Sequence, residues 1–288
     1  GLIEMSCLLN LITRALLIAT LLLNSYPVQA AVVNAASCSS ADVQSAITTA
    51  ANGDTVFVPA GTCTWSANVN IPNTKGIILQ GAGIDVTTII SNFTTAPTLT
   101  LIVNTGNSLT RVTGFTFDAN GVTKTGSAAE VNVGQAGQPA INGLDSFRID
   151  GNKFINLRSP GVTVRPDGNN ATGLIDHNTF LSSFTGTILV ITINGGNAAF
   201  GRPLSLGTNN AIYVEDNTIT VSGDTSTSAE AYEGSRYVYR FNTFSNRASM
   251  SHHGADSGGL RGIANFEVYN NTFTQSGAVK IIENHEGK

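Results

Sequence analysis

Charge is the scarcest resource in this 288-residue chain: Asp, Glu, Lys and Arg make up 12% of it, with a net charge of −4. A protein that grips a phosphate backbone needs a stripe of Lys and Arg, and none exists here, so nucleic acid is not an expected partner. Long apolar runs are equally scarce. The longest, Ala15 to Leu23, is far short of the roughly 20 residues that cross a bilayer, so no membrane span is expected after it is removed. Cysteine occurs only three times, too few for a disulfide-dense miniature scaffold or for a cysteine-built zinc site.

What is present begins with an export signal. Arg14 precedes the apolar run, and Val28-Gln29-Ala30 supplies small residues for cleavage, so residues 1–30 read as a signal peptide and Ala31–Lys288 as the mature chain. The chain opens on Gly1, so Met5 is one candidate start and a fragment is the other reading. A secreted or extracellular location follows, with the periplasm or a cell surface as variants. Cys7 leaves with the signal, and Cys38 and Cys63 remain in an oxidising compartment, where a disulfide is the natural reading and two buried thiols the alternative.

Thirty glycines, with abundant Asn, Thr and Ser, suit turns and short strands better than helices. One amphipathic helix stands out: Ser39, Ser40 or Asp42 can cap it, Val43, Ala46, Ile47 and Ala50 share a face, and Gly53 stops it. Thr55 to Val58 then reads as a strand. From there a short pattern recurs, an apolar alternation running into Asn and a large apolar residue two positions on. Its copies are Phe147–Phe154, Leu174–Phe180, Ile212–Ile219, Tyr237–Phe244 and Phe266–Phe273, with a degenerate copy at Arg111–Phe117. The asparagines 152, 178, 217, 242 and 271 are 26, 39, 25 and 29 residues apart, a period that marks a solenoid in which each copy is one coil. Ile149 with Phe154, Val214 with Ile219 and Val268 with Phe273 are expected to point inward. Asparagine tolerates the left-handed bend between two strands and can bond its counterpart above and below, so an asparagine ladder is expected. Tyr213, Tyr237, Tyr239 and Tyr269 are expected to point outward as an aromatic row.

Gly53-Asp54-Thr55-Val56, Pro59-Ala60-Gly61-Thr62 and Leu79-Gln80-Gly81-Ala82-Gly83, with the repeated Asn-Thr-Phe turns, resemble the pectate-lyase-like right-handed β-helix proteins of the pectin lyase fold. The resemblance spans nearly all of the mature chain. It implies an all-β, single-stranded right-handed parallel β-helix with a short N-terminal capping helix. It is specific for fold and weak for function, because lyases, hydrolases, epimerases, tailspikes and adhesins share this architecture. The chain ends in a strand, Val279 to Glu283, with no evident cap, so further coils beyond Lys288 are expected.

The resemblance also implies that the strand before each asparagine-bearing strand forms the substrate face. Gly161–Arg165, Thr187–Ile191, Ala229–Glu233, Ser249–His253 and Val279–Glu283 fall there, and residues 118–142 and 194–210 read as the longest insertions. The polar residues on that face and after it are Arg165, Asp167, Glu230, Glu233, His252, His253, Asp256 and Arg261, with Arg202 in the second insertion. A uronate lyase needs a cation for the sugar carboxylate, a base for the adjacent proton and a proton for the leaving oxygen. His253, Arg261 and His252 are the candidate catalytic residues, and Arg165, Glu230, Glu233, Asp256 and Arg202 the candidate substrate contacts. Calcium is a candidate cofactor, held by Glu230, Glu233 and Asp256. The structural alternative is that Ser251–Gly259 is only a turn.

Leu174-Ile175-Asp176-His177 resembles a pectate lyase segment but occupies the same slot as Asp150-Gly151, Glu215-Asp216 and Arg240-Phe241, so a structural role is expected of it. The family's Arg-x-Pro-x-x-Arg segment is broken at Thr163, and the polygalacturonase segments are absent except for His253-Gly254. A secreted, monomeric protein that binds an acidic polysaccharide, and cleaves it by β-elimination, is the leading expectation. A non-catalytic structural or adhesin-like coil and a glycoside hydrolase using Glu230, Glu233 or Asp256 are the alternatives.

Overall fold

The computed structural model describes residues 30–102, 108–125, 128–134, 146–164, 172–183, 189–192, 200, 206–208, 211–232, 234–253, 262–276 and 281–285. Among the described residues no helix is long and apolar enough to cross a membrane.

Three parallel faces run the length of the mature chain, because each coil contributes one short strand to each. The first face stacks β1 (Val32–Asn34), β2 (Thr55–Val58), β5 (Ile78–Gly81), β8 (Thr110–Thr113), β11 (Ser146–Asp150), β14 (Thr172–Asp176), β17 (Ile212–Glu215), β19 (Arg236–Arg240) and β21 (Asn265–Tyr269). The second stacks β3 (Gly61–Trp65), β6 (Thr87–Ser91), β9 (Thr116–Asp118), β12 (Lys153–Ile155) and β15 (Thr179–Ser182), then the first parts of β18 (Thr218–Tyr232) and β20 (Thr243–His253), and β22 (Thr272–Gln275). The third stacks β4 (Val69–Ile71), β7 (Leu99–Leu101), β10 (Val131–Val133), β13 (Val162–Val164) and β16 (Leu189–Thr192), then the last parts of β18 and β20, and β23 (Ile282–His285). The chain is therefore an all-β parallel solenoid. Strands β18 and β20 serve two faces, and their mutual register slips near Val221 and Thr227, where the chain passes from one face to the next.

The period-2 alternation of the strands builds the core. On the second face Phe117, Phe154 and Phe180 stack at centroid distances of 5.3 and 4.8 Å, and Phe244 meets Phe273 at 4.7 Å. Aromatic pairs at this spacing add stabilisation beyond their buried area. On the first face Val112, Ile149, Ile175 and Val214 form the matching buried row. Tyr239 pairs with Val214, and Tyr237 with Ile212, so both tyrosines belong to the buried rows. The expectation that they point outward is overturned, and only Tyr213 and Tyr269 keep partly exposed positions. The physical reason is alternation: Tyr237 and Tyr239 stand at the same places before Asn242 as the buried Phe147 and Ile149 do before Asn152.

The ladder holds the corner between the first and second faces. Asn152, Asn178 and Asn217 each receive the Nδ2 of, or send theirs to, a neighbour in the next coil, and Asn178 Nδ2 also donates to the Ile149 carbonyl at 2.7 Å. Each Oδ1 also accepts the backbone N–H of the preceding coil's ladder residue, as Asn217 Oδ1 does from Asn178 N at 2.9 Å and Asn242 Oδ1 from Asn217 N at 3.0 Å. The left-handed residue is not the ladder asparagine but the one before it: Gly151, His177, Asp216, Phe241 and Asn270 have φ between 53° and 60°. That bend aims the following side chain into the corner.

At the N-terminal end, helix α1 (Ser40–Thr49) buries Val43, Ala46 and Ile47 over the first coil, and Ser39 caps it by accepting the Asp42 N–H. The helix ends before Gly53, at Ala50 in an extended conformation, and Lys75 donates to its last carbonyls, those of Ile47, Thr48 and Ala50. The Cys38–Cys63 disulfide ties the segment before the helix to β3. The loop read as an insertion at 118–142 contains β10, a regular strand of the third face.

Candidate functional site

The third face is the candidate site, and its register lines up one residue per coil. Asn70 pairs with Thr100, Thr100 with Asn132, Asn132 with Thr163, Thr163 with Val190, Val190 with Glu230, Glu230 with Ser251 and Ser251 with Glu283. Seven steps at the parallel-strand spacing make a row about 34 Å long. Its neighbours on each strand, Val69 and Ile71, Leu99 and Leu101, Val131 and Val133, Val162 and Val164, are buried in the core, so Asn70, Thr100, Asn132 and Thr163 point to the opposite side of the strands, where Asn70 is half-buried and Thr100, Asn132 and Thr163 are covered.

Hydroxyl and amide groups dominate the first half of the row, and two of them lack partners. Asn68 Nδ2 donates to Thr100 Oγ1 at 3.0 Å, and Asn132 Oδ1 accepts from Ala129 N at 2.9 Å. Asn70 Oδ1 and Thr163 Oγ1 are buried without a hydrogen-bond partner. A buried polar atom left unmet costs on the order of 1–3 kcal/mol, so such atoms call for an explanation.

A second polar cluster sits at the N-terminal side of β10. Lys124 and Glu130 are buried, with Nζ 3.6 Å from Oε1. Lys124 Nζ donates to Ser91 Oγ at 2.7 Å and lies 4.4 Å from the Phe93 ring centroid, while Thr98 Oγ1 donates to Glu130 Oε2 at 2.6 Å. Burial pushes the Lys124 ammonium down and the Glu130 carboxyl up from their ordinary values, and their mutual attraction only partly offsets this. The pair is sealed from solvent and joins the coils of β6, β7 and β10. Nothing in the sequence pattern flagged it, since a lone Lys in a loop ordinarily reads as a solvated residue.

The five segments expected on the substrate face do stack on one face, as β13, β16, β18, β20 and β23. Of the expected site residues, Glu230 lies on β18, half-buried, and His252 and His253 close β20. Glu230 is in register with Ser251, two positions before His253, while His252 is in register with the buried Ala231. Neighbouring strand positions fall on opposite faces, so His253 shares the row's parity and His252 does not. His253 is itself in register with His285. Arg165, Asp167, Arg202, Glu233, Asp256 and Arg261 lie outside the described residues, as does most of 194–210. Among the described residues no three His, Cys, Asp or Glu side chains gather as a metal site.

The Asp176-His177 slot sits at the bend before the ladder asparagine. His177 carries φ +53°, and its Nδ1 lies 2.8 Å from Asp176 Oδ2. Asp176 in turn accepts Arg148 Nε and Nη2 at 2.9 and 2.6 Å, and Asp150 accepts Arg111 in the same way. These bidentate pairs repeat coil by coil as staples on the outside of the first face.

No family model matches the chain, and no curated protein matches it.

Proposed function

We propose that the protein is an extracellular, carbohydrate-active β-helix of the pectate-lyase-like superfamily that holds an acidic polysaccharide along its third face and cleaves it by β-elimination. The observation that carries this reading is the continuous row from Asn70 to Glu283: a linear polymer needs a linear track, and a track one residue wide repeating every coil provides one.

In this reading the reaction takes place at β20, one coil before the row's end on β23. His253, sharing the row's parity with Glu230, removes the proton beside the uronate carboxylate, with Arg261 as the alternative base; the electron pair left behind forms the C=C bond as the glycosidic C–O bond breaks, and the protonated base or water gives the departing oxygen its proton. Arg165, next in sequence after β13, holds a uronate carboxylate further along the polymer, and Glu233, Asp256 and Arg202 contact the sugars. Calcium, when bound, neutralises the carboxylate. Its ligands would be Glu230, Glu233 and Asp256, of which Glu230 alone is among the described residues.

A non-catalytic binding coil is the second reading, favoured by the hydroxyl and amide character of the Asn70–Thr163 half of the row. One experiment separates them. Purified protein is incubated with pectate, alginate and glycosaminoglycans, with and without calcium, and the ultraviolet absorbance of unsaturated uronates is followed. Rising absorbance that His253→Ala and Arg261→Ala both diminish supports the lyase. Retention of a polymer on an affinity column with no absorbance change supports the binding coil.

A further inference from the structure

A cleft of ≈ 430 Å³ opens on the outside of the first face, away from the polysaccharide row. That volume falls in the range of sites for small ligands. Its floor is apolar: Leu109, Phe147, Leu174 and Ala211 line it, and Gly173 contributes no side chain. The glycine is required there, because a Cβ on it would come within 2.5 Å of the Phe147 ring and 2.6 Å of the Phe147 carbonyl oxygen.

Four polar side chains converge over this floor. Tyr213 stands between Leu174 and Val238 in register, its hydroxyl donating to the Thr208 carbonyl at 2.6 Å. The Arg240 guanidinium lies 4.9 Å from the Tyr213 ring centroid and is held by Glu215 and by the Tyr269 hydroxyl, so the ring is fixed in orientation. Arg148 is held by Asp176 through two nitrogens. Thr172 also lines the cleft, 2% exposed, and its Oγ1 has no hydrogen-bond partner.

The charges decide what fits. Each arginine already faces its own carboxylate, so the cleft is close to electrically neutral, and an anion would have to displace Glu215 or Asp176 to gain a cation. A neutral ring has no such cost. A pyranose presents an apolar face suited to an aromatic ring and an edge of hydroxyls that both donate and accept, matching Glu215 as acceptor, the arginines as donors and Thr172 as either. We propose that this cleft is a binding site for a neutral hexopyranose unit, stacked on Tyr213 with one hydroxyl bonded to Thr172 Oγ1. The site is separate from the third-face row and does not depend on that reading. It gives the coil a means of anchoring to a neutral glycan.

Isothermal titration of the full protein with cellotetraose, maltotetraose and mannotetraose, with tetragalacturonate as the charged control, tests it. The expected result is binding of at least one neutral tetrasaccharide, weakened about tenfold or more by Tyr213→Ala and several-fold by Thr172→Val, a shape-conserving change that keeps the fold measurable by thermal melting. Turnover or retention of acidic polymer stays unchanged in both variants, which separates this site from the third face. The proposal is overturned if no neutral tetrasaccharide binds, if both variants bind as the parent does, or if tetragalacturonate is the ligand that Tyr213→Ala weakens most.

Discussion

Replacing Asn178 by Ala removes the second rung of the ladder, and the structure sets the size of the loss. The Asn178 side chain donates to the Ile149 carbonyl and to Asn217 Oδ1, and accepts from Asn152 N and Asn152 Nδ2, at 2.7 to 3.2 Å. The residue is 1% exposed, so water does not take its place. Two backbone groups, the Asn152 N–H and the Ile149 carbonyl, lose these bonds in the interior. At roughly 1–3 kcal/mol for each group left unmet, the substitution costs about 3–4 kcal/mol. Asn271 is half-buried at the last rung, where solvent can substitute, and Asn271→Ala costs about 1 kcal/mol. Urea unfolding followed by circular dichroism reads both, provided the slope with denaturant is unchanged. A cost for Asn178→Ala below 1 kcal/mol, or no greater than that of Asn271→Ala, refutes the claim that buried rungs hold the corner.

Three further outcomes follow from single sites. Lys124→Met and Glu130→Gln each destabilise the fold by about 3–5 kcal/mol because each strands a buried partner, whereas Lys124→Met combined with Glu130→Leu recovers most of that loss; comparable costs for the single and double variants would contradict this. At position 177, Gly is neutral or stabilises by up to about 1 kcal/mol and Val destabilises by a similar amount, since the left-handed φ outweighs the solvent-exposed contact with Asp176; a loss of polysaccharide turnover in His177→Gly would instead assign His177 a chemical role. Asp54 accepts the Ala31 and Ala51 N–H groups, which hold its carboxyl below the ordinary value of 3.8. Its contribution is present at neutral pH and is lost as the pH falls through that lowered value, so Asp54→Asn is less stable at neutral pH and shows a shallower decline below about pH 4 in thermal melts.

The fold was legible because its signals are local and repeated. The five Asn-bearing copies announced the coil, and Cys38 with Cys63 announced the bridge. The tyrosines show where such reading fails: Tyr237 and Tyr239 resemble surface aromatics by residue type, but their place in the register against Ile212 and Val214 puts them inside. The bend illustrates the same limit, since asparagine's tolerance for left-handed φ pointed to the ladder residue while the residue before it takes the turn.

The stacking of the third face was legible, and the depth of its residues was not. The segments ending at Arg165 and His253 were placed on one face by counting back from the asparagines, and the strands do stack there. The hydroxyl and amide row from Asn70 to Thr163 stayed hidden because single Asn and Thr residues between valines look like ordinary strand alternation until the register aligns them. Thr172, Tyr213 and Arg240 are far apart in sequence and meet only through three coils of the first face.

Hydrogen exchange of the protein with and without a bound acidic polysaccharide tests the central claim most directly. The account predicts new protection in the third-face strands, Val162–Val164 and the end of Thr243–His253, with none in the second-face strand Thr179–Ser182. Protection on the second face instead, or none on the third while the polymer is demonstrably bound, would contradict it.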